Sequence, residues 1–392
     1  MVLGAGLVLA KADFDKEDKF KTMEELNFEN GFASMSYTVF TEDNYVLSLF
    51  RIPGTLLEMQ EGIQKQKPVV LFMPALDTDM MEYVINDVDR ANAYILSRAG
   101  YDVWLGNNRG TRLSLGHLSL STDDKEYWNY YQEDLGTKDV PAFADFITKE
   151  TGVESMSYVG HSQGTTQFFM GASLKPDYYA EKFNLFVALA PVGKTGNLGF
   201  ESLHLAAKHV GLVEYIMVDV FHQYNLFPPP ELGQEALILF CNLLPFVCKD
   251  FNKIFFQDDI DNAARLDVAV SNMPVGSSYR NYVYYAQMIN SDRFELYDYG
   301  KRKNKEIYGT EEPPLVPIQD YKVPTVLLSG DRDKLADPTD VAWLSEQLGD
   351  NVVFEKQYPA DHTTFVVAKD MSFFSVDAVA QLHKYNPVPT ED

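Results

Sequence analysis

The residue of this sequence most clearly suited to a chemical reaction is a serine that lies between two glycines. Residues 157–166 read SYVGHSQGTT, in which Gly160 and Gly164 flank Ser162. The residues before the turn suit a short buried strand, and residues 165–174 suit a helix with aromatic side chains to bury. Glycines on both sides fit a serine at a strained turn, because a side chain there would crowd the strand or the helix. The pattern predicts an activated serine nucleophile, with an ordinary strand–turn–helix as the alternative.

A serine hydroxyl is a weak nucleophile at neutral pH, so it needs a base within reach, and the base needs an orienting carboxylate. In hydrolases with this turn, the acid and then the histidine follow the serine along the chain. Of the seven histidines, only His362 and His383 come after the last strands of the predicted sheet. His383 falls on a helical stretch, whereas His362 lies in a loop just past the strand predicted at residues 352–354. We therefore predict that His362 is the base.

Three aspartates compete for the role of the acid, in the loop at residues 330–337 that follows a predicted strand. Asp337 stands directly before a proline and is better explained as the N-cap of a helix. Asp331 sits at the immediate end of the strand, beside Arg332. We predict Asp333 as the acid and keep Asp331 as the alternative.

Attack of a serine on an ester carbonyl builds an oxyanion, which backbone N–H groups must stabilise. One donor in this class of turn is the residue after the serine, here Gln163, and the other lies in the loop after an early strand. That strand is predicted at residues 68–73 and is followed by Pro74, which has no N–H group. The sequence therefore predicts Ala75 and Gln163 as the oxyanion donors.

The elements that must position these residues alternate along the chain. Residues 36–40 and 45–51 read as a hairpin, and residues 68–73, 101–105, 156–159 and 183–190 read as buried strands. A helix with an apolar stripe is predicted at residues 133–148. The sheet resumes at residues 324–329 and 352–354, and a last helix is predicted near residues 373–383. The alternation predicts an α/β fold with a mostly parallel, doubly wound sheet.

The alternation stops between residues 193 and 317, where the sequence is helical or irregular and rich in aromatic residues. Because ligands bind outside the carboxyl ends of parallel strands, we interpret this stretch as a mainly helical cap over the active end of the sheet. An independent helical domain is the alternative. The predicted organisation is a signal peptide at residues 1–12, core segments at 13–192 and 318–392, and the cap at 193–317.

Composition limits the classes of partner. The chain has 392 residues, with 33 basic against 57 acidic side chains and a net charge of -24, which excludes nucleic acid as a plausible partner. The apolar N-terminus ends in Ala-Lys-Ala, which indicates a secretory signal, the alternatives being a buried first segment or a truncated start. No other run is long enough to span a bilayer. The two cysteines, Cys241 and Cys248, fit one disulfide or two core thiols.

The chain resembles the acid lipase family of α/β-hydrolases, which includes the gastric and lysosomal acid lipases. The matching runs span nearly the whole chain and lie at residues 41–47, 51–53, 108–110, 158–166, 189–192, 335–338 and around 362. The resemblance implies a triad of Ser162, Asp333 and His362, oxyanion donors at Ala75 and Gln163, and a cap disulfide between Cys241 and Cys248. The chain departs from the family at Met73-Pro74, where His-Gly is usual, and in having no Asn-x-Ser/Thr sequon.

The sequence predicts a serine hydrolase that cleaves carboxylic esters of neutral lipids, triacylglycerols or sterol esters, without a metal or cofactor. The predicted partner is a lipid ester, met at a lipid–water interface. The alternatives are a carboxylesterase for soluble short-chain esters and a catalytically silent lipid-binding protein on the same fold, with a peptidase less favoured. The predicted signal peptide implies that the protein is secreted or delivered to a lysosome or vacuole.

Overall fold

A computed structural model of the chain describes residues 17–62, 66–228, 235–245, 247, 257 and 259–389. The predicted signal peptide at residues 1–12 lies outside this part of the chain, and so does Cys248. The signal peptide and the disulfide between Cys241 and Cys248 therefore stay predictions. Eleven strands are present in the described residues. They are β1 (Met35–Phe40), β2 (Tyr45–Ile52), β3 (Val69–Met73), β4 (Asp102–Gly106), β5 (Gly116–His117), β6 (Met156–His161), β7 (Phe183–Leu189), β8 (Asn225–Leu226), β9 (Ser277–Ser278), β10 (Thr325–Gly330) and β11 (Val352–Tyr358).

Nine of these strands form one sheet in the order β1-β2-β4-β3-β6-β7-β10-β11, with β5 paired to the start of β2. The first pairs, β1 with β2 and β2 with β4, are antiparallel. From β4 to β11 every neighbouring pair is parallel. The α/β class with a mostly parallel sheet is therefore confirmed.

Both faces of the sheet are covered, as a doubly wound fold requires. Every residue of β3, β4, β6 and β10 is buried, which accounts for their continuous apolar sequences. The adjacent residues Leu71 and Phe72 belong to different hydrophobic clusters, because successive side chains of a strand point to opposite faces. Leu71 shares its cluster with Phe143 and Phe168, and Phe72 shares the other cluster with Phe374.

Helices connect the strands of the main sheet. The α-helices of the described residues are α1 (Met23–Glu29), α2 (Leu56–Gln60), α3 (Asn92–Arg98), α4 (Gln132–Asp134), α5 (Val140–Thr151), α6 (Gln163–Leu174), α7 (Pro176–Lys182), α8 (Glu201–Lys208), α9 (Val210–Glu214), α10 (Glu235–Leu243), α11 (Leu266–Ser271), α12 (Tyr279–Ser291), α13 (Lys301–Ile307), α14 (Pro338–Leu348), α15 (Thr364–Val367) and α16 (Val379–Tyr385). Three π-helical turns extend α4, α9 and α16, at Leu135–Asp139, Tyr215–Val220 and Phe373–Ala378. Asp337 caps α14, as predicted, by accepting the Thr339 N–H at 2.8 Å.

The chain between β7 and β10 carries α8 to α13 and the separate β8–β9 pair, and its described residues add no strand to the main sheet. This segment is attached to the loops that follow β3 and β4. The N–H of Val275 donates to the carbonyl of Asp77 at 3.1 Å, and the N–H of Arg112 donates to the carbonyl of Val275 at 3.1 Å. The Tyr282 hydroxyl also donates to the Asp77 carboxylate. Among the described residues, no helix is both long and apolar enough to cross a bilayer.

Candidate active site

Ser162 occupies a sharp turn between β6, which ends at His161, and α6, which begins at Gln163. Its backbone has φ 51° and ψ -111°, a left-handed conformation that is strained for a residue with a side chain. The turn is held by its neighbours: the Ser162 N–H donates to the Leu189 carbonyl of β7 at 3.1 Å, and the Thr165 N–H donates to the Ser162 carbonyl at 2.8 Å. The strain therefore serves to present the serine side chain at the carboxyl end of the sheet.

The two flanking glycines are required by close backbone contacts. A Cβ atom on Gly160 would lie 2.6 Å from the carbonyl oxygen of Gly164, and one on Gly164 would lie 2.2 Å from that of Met73. Both atoms belong to the backbone and cannot move aside as a flexible side chain would. Without these side chains, the first turn of α6 packs directly against the end of β3.

The structure brings Ser162, His362 and Asp333 together, although they come from three loops of the chain. The His362 Nε2 atom lies 2.7 Å from the Ser162 Oγ atom, and the His362 Nδ1 atom lies 2.9 Å from Oδ2 of Asp333. His362 and Asp333 are buried, with 6% and 2% of their surface exposed. The carboxylate of Asp333 also accepts the N–H groups of Leu335 and Ala336, at 2.8 and 2.9 Å, which fixes its orientation.

The competing candidates lie elsewhere. Asp331 is exposed, and its backbone N–H donates a hydrogen bond to the Tyr358 carbonyl. Arg332 pairs with Asp259 at 2.7 Å instead of with Asp331. His383 is exposed on α16 and stacks on Tyr101. Asp333 is therefore the aspartate of this loop that faces the His362 ring.

The charge of Asp333 suits an orienting carboxylate. Burial by itself would raise the pKa of Asp333, but the facing His362 and the N–H groups of Ala336 and Leu335 outweigh it and hold the pKa below its usual value. The ionised carboxylate accepts a hydrogen bond and keeps a proton on Nδ1 of His362. The lone pair on Nε2 is then free to accept the proton of Ser162 Oγ.

The two predicted oxyanion donors lie at the same edge of the sheet. β3 and β6 are parallel neighbours, and Met73 of β3 is paired with Gly160 of β6. Ala75 comes two residues after Met73 and Ser162 two residues after Gly160, so both lie just beyond the same ends of the two strands. Gln163 opens α6, and the first N–H groups of a helix have no partner within it. The Gln163 side chain is fixed by the Gln132 amide, whose Nε2 donates to Oε1 of Gln163 at 2.9 Å.

The N–H of Ala75 already has an acceptor, which the sequence did not indicate. It donates to Oε1 of Glu82 at 3.2 Å, and the hydroxyl of Thr78 donates to Oε2 of the same carboxyl group at 2.6 Å. The Nδ1 atom of His161 lies 3.5 Å from Oε2 of Glu82, and its Nε2 atom lies 2.8 Å from the carbonyl oxygen of His362. Glu82 thus connects the Ala75 loop, through His161, to the loop of His362.

Comparison with known proteins assigns the chain to a family. Residues 69–369 match the family model described as alpha/beta hydrolase fold. The chain is 34% identical to human gastric triacylglycerol lipase over 347 residues, which cover 87% of this chain and 85% of the relative. It is also 34% identical to human lysosomal acid lipase/cholesteryl ester hydrolase over 368 residues, which cover 91% and 88% of the two chains. The chain belongs to the acid lipase family.

The predicted family is therefore confirmed, and it places the chain among the carboxylic ester hydrolases, the enzyme class predicted from the sequence. A solved structure of a thermophilic esterase from Thermogutta terrifontis aligns with a TM-score of 0.51, covering 90% of this chain and 99% of the esterase at 10% identity. At that identity the likeness shows the α/β-hydrolase fold alone.

Sequence reasoning about this acid lipase family member missed Glu82, His161 and Gln132 as neighbours of the site. His161 is excluded as the base because it lies in the serine turn itself, and this exclusion hides its contact with Glu82. Glu82 and Gln132 carry no local signal, since a single glutamate or glutamine near a helix start is usually solvated. Glu82, in the segment after β3, and Gln132, in α4, are both buried, and they contact His161 and Gln163 on either side of Ser162.

Proposed function

We propose that this acid lipase family member hydrolyses carboxylic esters of neutral lipids through an acyl-enzyme on Ser162. The observation that carries the proposal is the hydrogen-bond chain from Asp333 through His362 to Ser162 Oγ, with distances of 2.9 and 2.7 Å. Each member is held by the surrounding fold, so the geometry exists before a substrate binds. Preorganisation of this kind is what nucleophilic catalysis by serine requires.

The proposed reaction moves one proton and one acyl group at a time. Ser162 Oγ attacks the ester carbonyl carbon while His362 Nε2 takes the hydroxyl proton, and the N–H groups of Gln163 and Ala75 stabilise the oxyanion. When the tetrahedral intermediate collapses, the C–O bond to the alcohol breaks and His362 protonates the departing oxygen. Water then repeats the sequence on the acyl-enzyme and releases the carboxylic acid.

A neutral lipid is the substrate that the surface and the relatives favour together. The net charge of -24 disfavours anionic substrates. Exposed apolar side chains follow one another along α9 and the turn after it, with Leu212, Tyr215 and Phe221 at 59%, 57% and 49% exposure. The names of the two relatives, a triacylglycerol lipase and a cholesteryl ester hydrolase, support both triacylglycerols and sterol esters. We infer that residues 193–317 form a cap over the acyl site, which meets the lipid–water interface.

Replacing the nucleophile tests the proposal. We expect Ser162→Ala to lower kcat on an emulsified triacylglycerol by at least about four orders of magnitude, because oxyanion binding alone supplies only a residual rate. The matched control is Ser119→Ala, which changes an exposed serine and should leave the rate unchanged. A fluorophosphonate probe should label the wild type and the control, but not Ser162→Ala. A Ser162→Ala variant that keeps more than about a tenth of the activity would contradict the mechanism.

Substrate class is tested by comparing hydrolysis of soluble short-chain esters, emulsified triacylglycerols and sterol esters. Faster hydrolysis of long-chain emulsions supports the lipase assignment, whereas a preference for soluble short esters would favour the carboxylesterase alternative. A wild-type protein that binds lipid but is not labelled by the probe would instead be a silent binding protein. We further propose that the protein enters the secretory pathway, as the names of the gastric and lysosomal relatives support.

A further inference from the structure

A buried acid–base pair beside the triad has no part in the reaction described above. Glu82 and His161 are 5% and 2% exposed, and Oε2 of Glu82 lies 3.5 Å from Nδ1 of His161. We propose that this pair is a positioning device for hydrolysis by Ser162: it fixes the Ala75 and His362 loops, and it works only while it keeps one shared proton. The inference rests on the function proposed above.

Hydrogen-bond polarity determines how many protons the pair holds. The Nε2 atom of His161 lies 2.8 Å from the His362 carbonyl oxygen, which can only accept, so Nε2 carries a proton. The Nδ1 atom then either donates a second proton to an ionised Glu82 or accepts the proton of a neutral Glu82. In both cases the pair has no net charge. With that proton removed, two acceptors would face each other in a buried site.

The pair connects two loops that follow strands which are not neighbours in the sheet. Ala75 follows β3 and His362 follows β11, and three strands, β6, β7 and β10, separate β3 from β11 in the sheet. Glu82 accepts the Ala75 N–H at 3.2 Å, and His161 donates to the His362 carbonyl at 2.8 Å. The oxyanion donor and the catalytic base are thus connected by four side-chain and backbone groups.

The charge of the pair matters because the oxyanion forms at the same N–H. An ionised Glu82 without its proton would hold the Ala75 N–H in a stronger, charge-assisted bond and would repel the developing oxyanion. The other ionisable groups around the pair have partners of their own. Asp79 pairs with Arg112 at 2.7 Å, and the Tyr83 hydroxyl donates to the Met73 carbonyl at 2.8 Å. The His362 ring, whose centroid lies 5.2 Å from that of His161, is hydrogen-bonded to Asp333 and to Ser162. These groups leave His161 as the cation that can balance Glu82.

The pair is expected to keep its proton at neutral pH and lose it in alkali. Burial by itself would lower the pKa of His161, but the Glu82 carboxylate and the His362 carbonyl outweigh burial and raise it above the usual value. Above the pKa of the pair, kcat/KM should fall about tenfold per pH unit, as expected for loss of one essential proton. A purely structural contact would give no such dependence on pH.

The test measures kcat/KM for p-nitrophenyl butyrate from mildly acidic to alkaline pH, with the rate of Ser162→Ala subtracted as background. In Glu82→Gln, the amide oxygen still accepts the Ala75 N–H and the amide nitrogen donates to His161, so the alkaline fall should disappear and the plateau should stay within about threefold of wild type. In His161→Asn, the pair loses the imidazole that binds the shared proton, so the fall should move to lower pH by about one unit or more.

A second carboxyl group in the same loop supplies the control. Burial raises the pKa of Asp77 to about 7, so Asp77 is the rival source of a pH-dependent rate. Asp77→Asn should keep the wild-type alkaline fall. The inference is overturned if Glu82→Gln keeps that fall, or if Asp77→Asn abolishes it.

The positioning role of the pair and the proposed function of the protein are contradicted by different results. If Glu82→Gln does not fold, His161→Asn decides alone: a fall moved to lower pH supports the pair, and an unmoved fall overturns it. Failure of the proposed function would appear earlier, as hydrolysis that survives Ser162→Ala or a wild-type protein that no fluorophosphonate labels.

Discussion

At the scale of single residues, the site depends on the direction of each hydrogen bond. Asp333 accepts from His362 at 2.9 Å and from two backbone N–H groups, so its carboxylate has no freedom to turn. An amide at this position would have to present either its oxygen or its NH₂ group to those three donors. A carboxylate can therefore accept hydrogen bonds from all three donors through its two oxygen atoms. The amide of asparagine would place an NH₂ group opposite at least one of these donors.

We expect Asp333→Asn to lower kcat by about four orders of magnitude, because the wrong tautomer of His362 can no longer accept the serine proton. The matched control is Asp331→Asn, an exposed aspartate two residues away, which should stay within about twofold. Steady-state hydrolysis of p-nitrophenyl butyrate measures both. Equal losses in the two variants would show that the loop, and not the His362 contact, is responsible.

The effect of Asp333→Asn on the free energy of unfolding should also depend on pH. The pKa of Asp333 is depressed in the folded protein, so its ionised form stabilises the fold above the unfolded pKa of about 3.9, and this contribution disappears as the pH falls through the folded pKa. The difference in unfolding free energy between wild type and Asp333→Asn should be largest near neutral pH and should shrink in acid. Urea unfolding at several pH values gives that difference.

The sequence was sufficient for part of the site because chain order excludes most candidates. His362 could be predicted since the other histidines stand in or before the serine turn, in the predicted cap or on a helix. Asp337 could be excluded as a helix cap, but Asp331 stayed an alternative to Asp333 until its exposure was known. Glu82 could not be predicted, because its importance depends on a contact with His161, and residues 82 and 161 come together only after β3 pairs with β6.

At the scale of elements, the decisive feature is the contact between the start of α6 and the end of β3. A Cβ atom on Gly164 would meet the Met73 carbonyl oxygen at 2.2 Å and its carbon at 2.9 Å, and both are backbone atoms. Any side chain there would push the helix and the Ala75 loop apart. The proposed oxyanion donors, Gln163 and Ala75, belong to these two elements, so the distance between them would change.

We expect Gly164→Ala to reduce kcat by about a hundredfold or more, since a displacement of about 1 Å at reacting groups costs that much. Gly211→Ala is the matched control, because a Cβ on this α9 glycine meets no atom within 4 Å. Alanine there should leave kcat unchanged and stabilise the protein by about 0.5–1 kcal/mol. Hydrolysis rates and thermal unfolding of both variants check this, and a fully active Gly164→Ala would refute the steric account.

Element boundaries were predictable where burial dominates. The strand predicted at residues 68–73 forms at Val69–Met73, and the strand predicted at residues 101–105 forms at Asp102–Gly106. The two-residue strands β5, β8 and β9 were not predicted. Segments that short have no periodicity, and they pair only because the folded chain brings a partner alongside.

At the scale of the whole molecule, net charge decides which surfaces the enzyme can approach. A charge of -24 opposes adsorption to an anionic interface and leaves an uncharged droplet accessible. Salt screens this repulsion, because the Debye length falls to about 10 Å at 0.1 M ionic strength. The rate of hydrolysis at the interface should therefore depend on salt concentration only when the lipid surface is charged.

We expect hydrolysis of triacylglycerol droplets that contain anionic phospholipid to be several-fold slower at low salt and to recover as salt is added. Droplets with zwitterionic phospholipid alone should show little dependence on salt. Initial rates on the two emulsions measure the effect, and p-nitrophenyl butyrate controls for salt effects on the chemistry. An identical response of both emulsions would mean that net charge does not govern adsorption.

The attachment of the segment between β7 and β10 to the loops after β3 and β4 has a consequence for protein engineering. Two of its bonds, from Val275 to Asp77 and from Arg112 to Val275, use only main-chain groups. Every amino acid except proline provides the same N–H and carbonyl groups. Side chains in the segment, which we propose to form a cap over the acyl site, can therefore be exchanged without breaking these two bonds. We therefore expect the proposed cap to tolerate changes that alter substrate preference while its main-chain attachment to the catalytic loops stays intact.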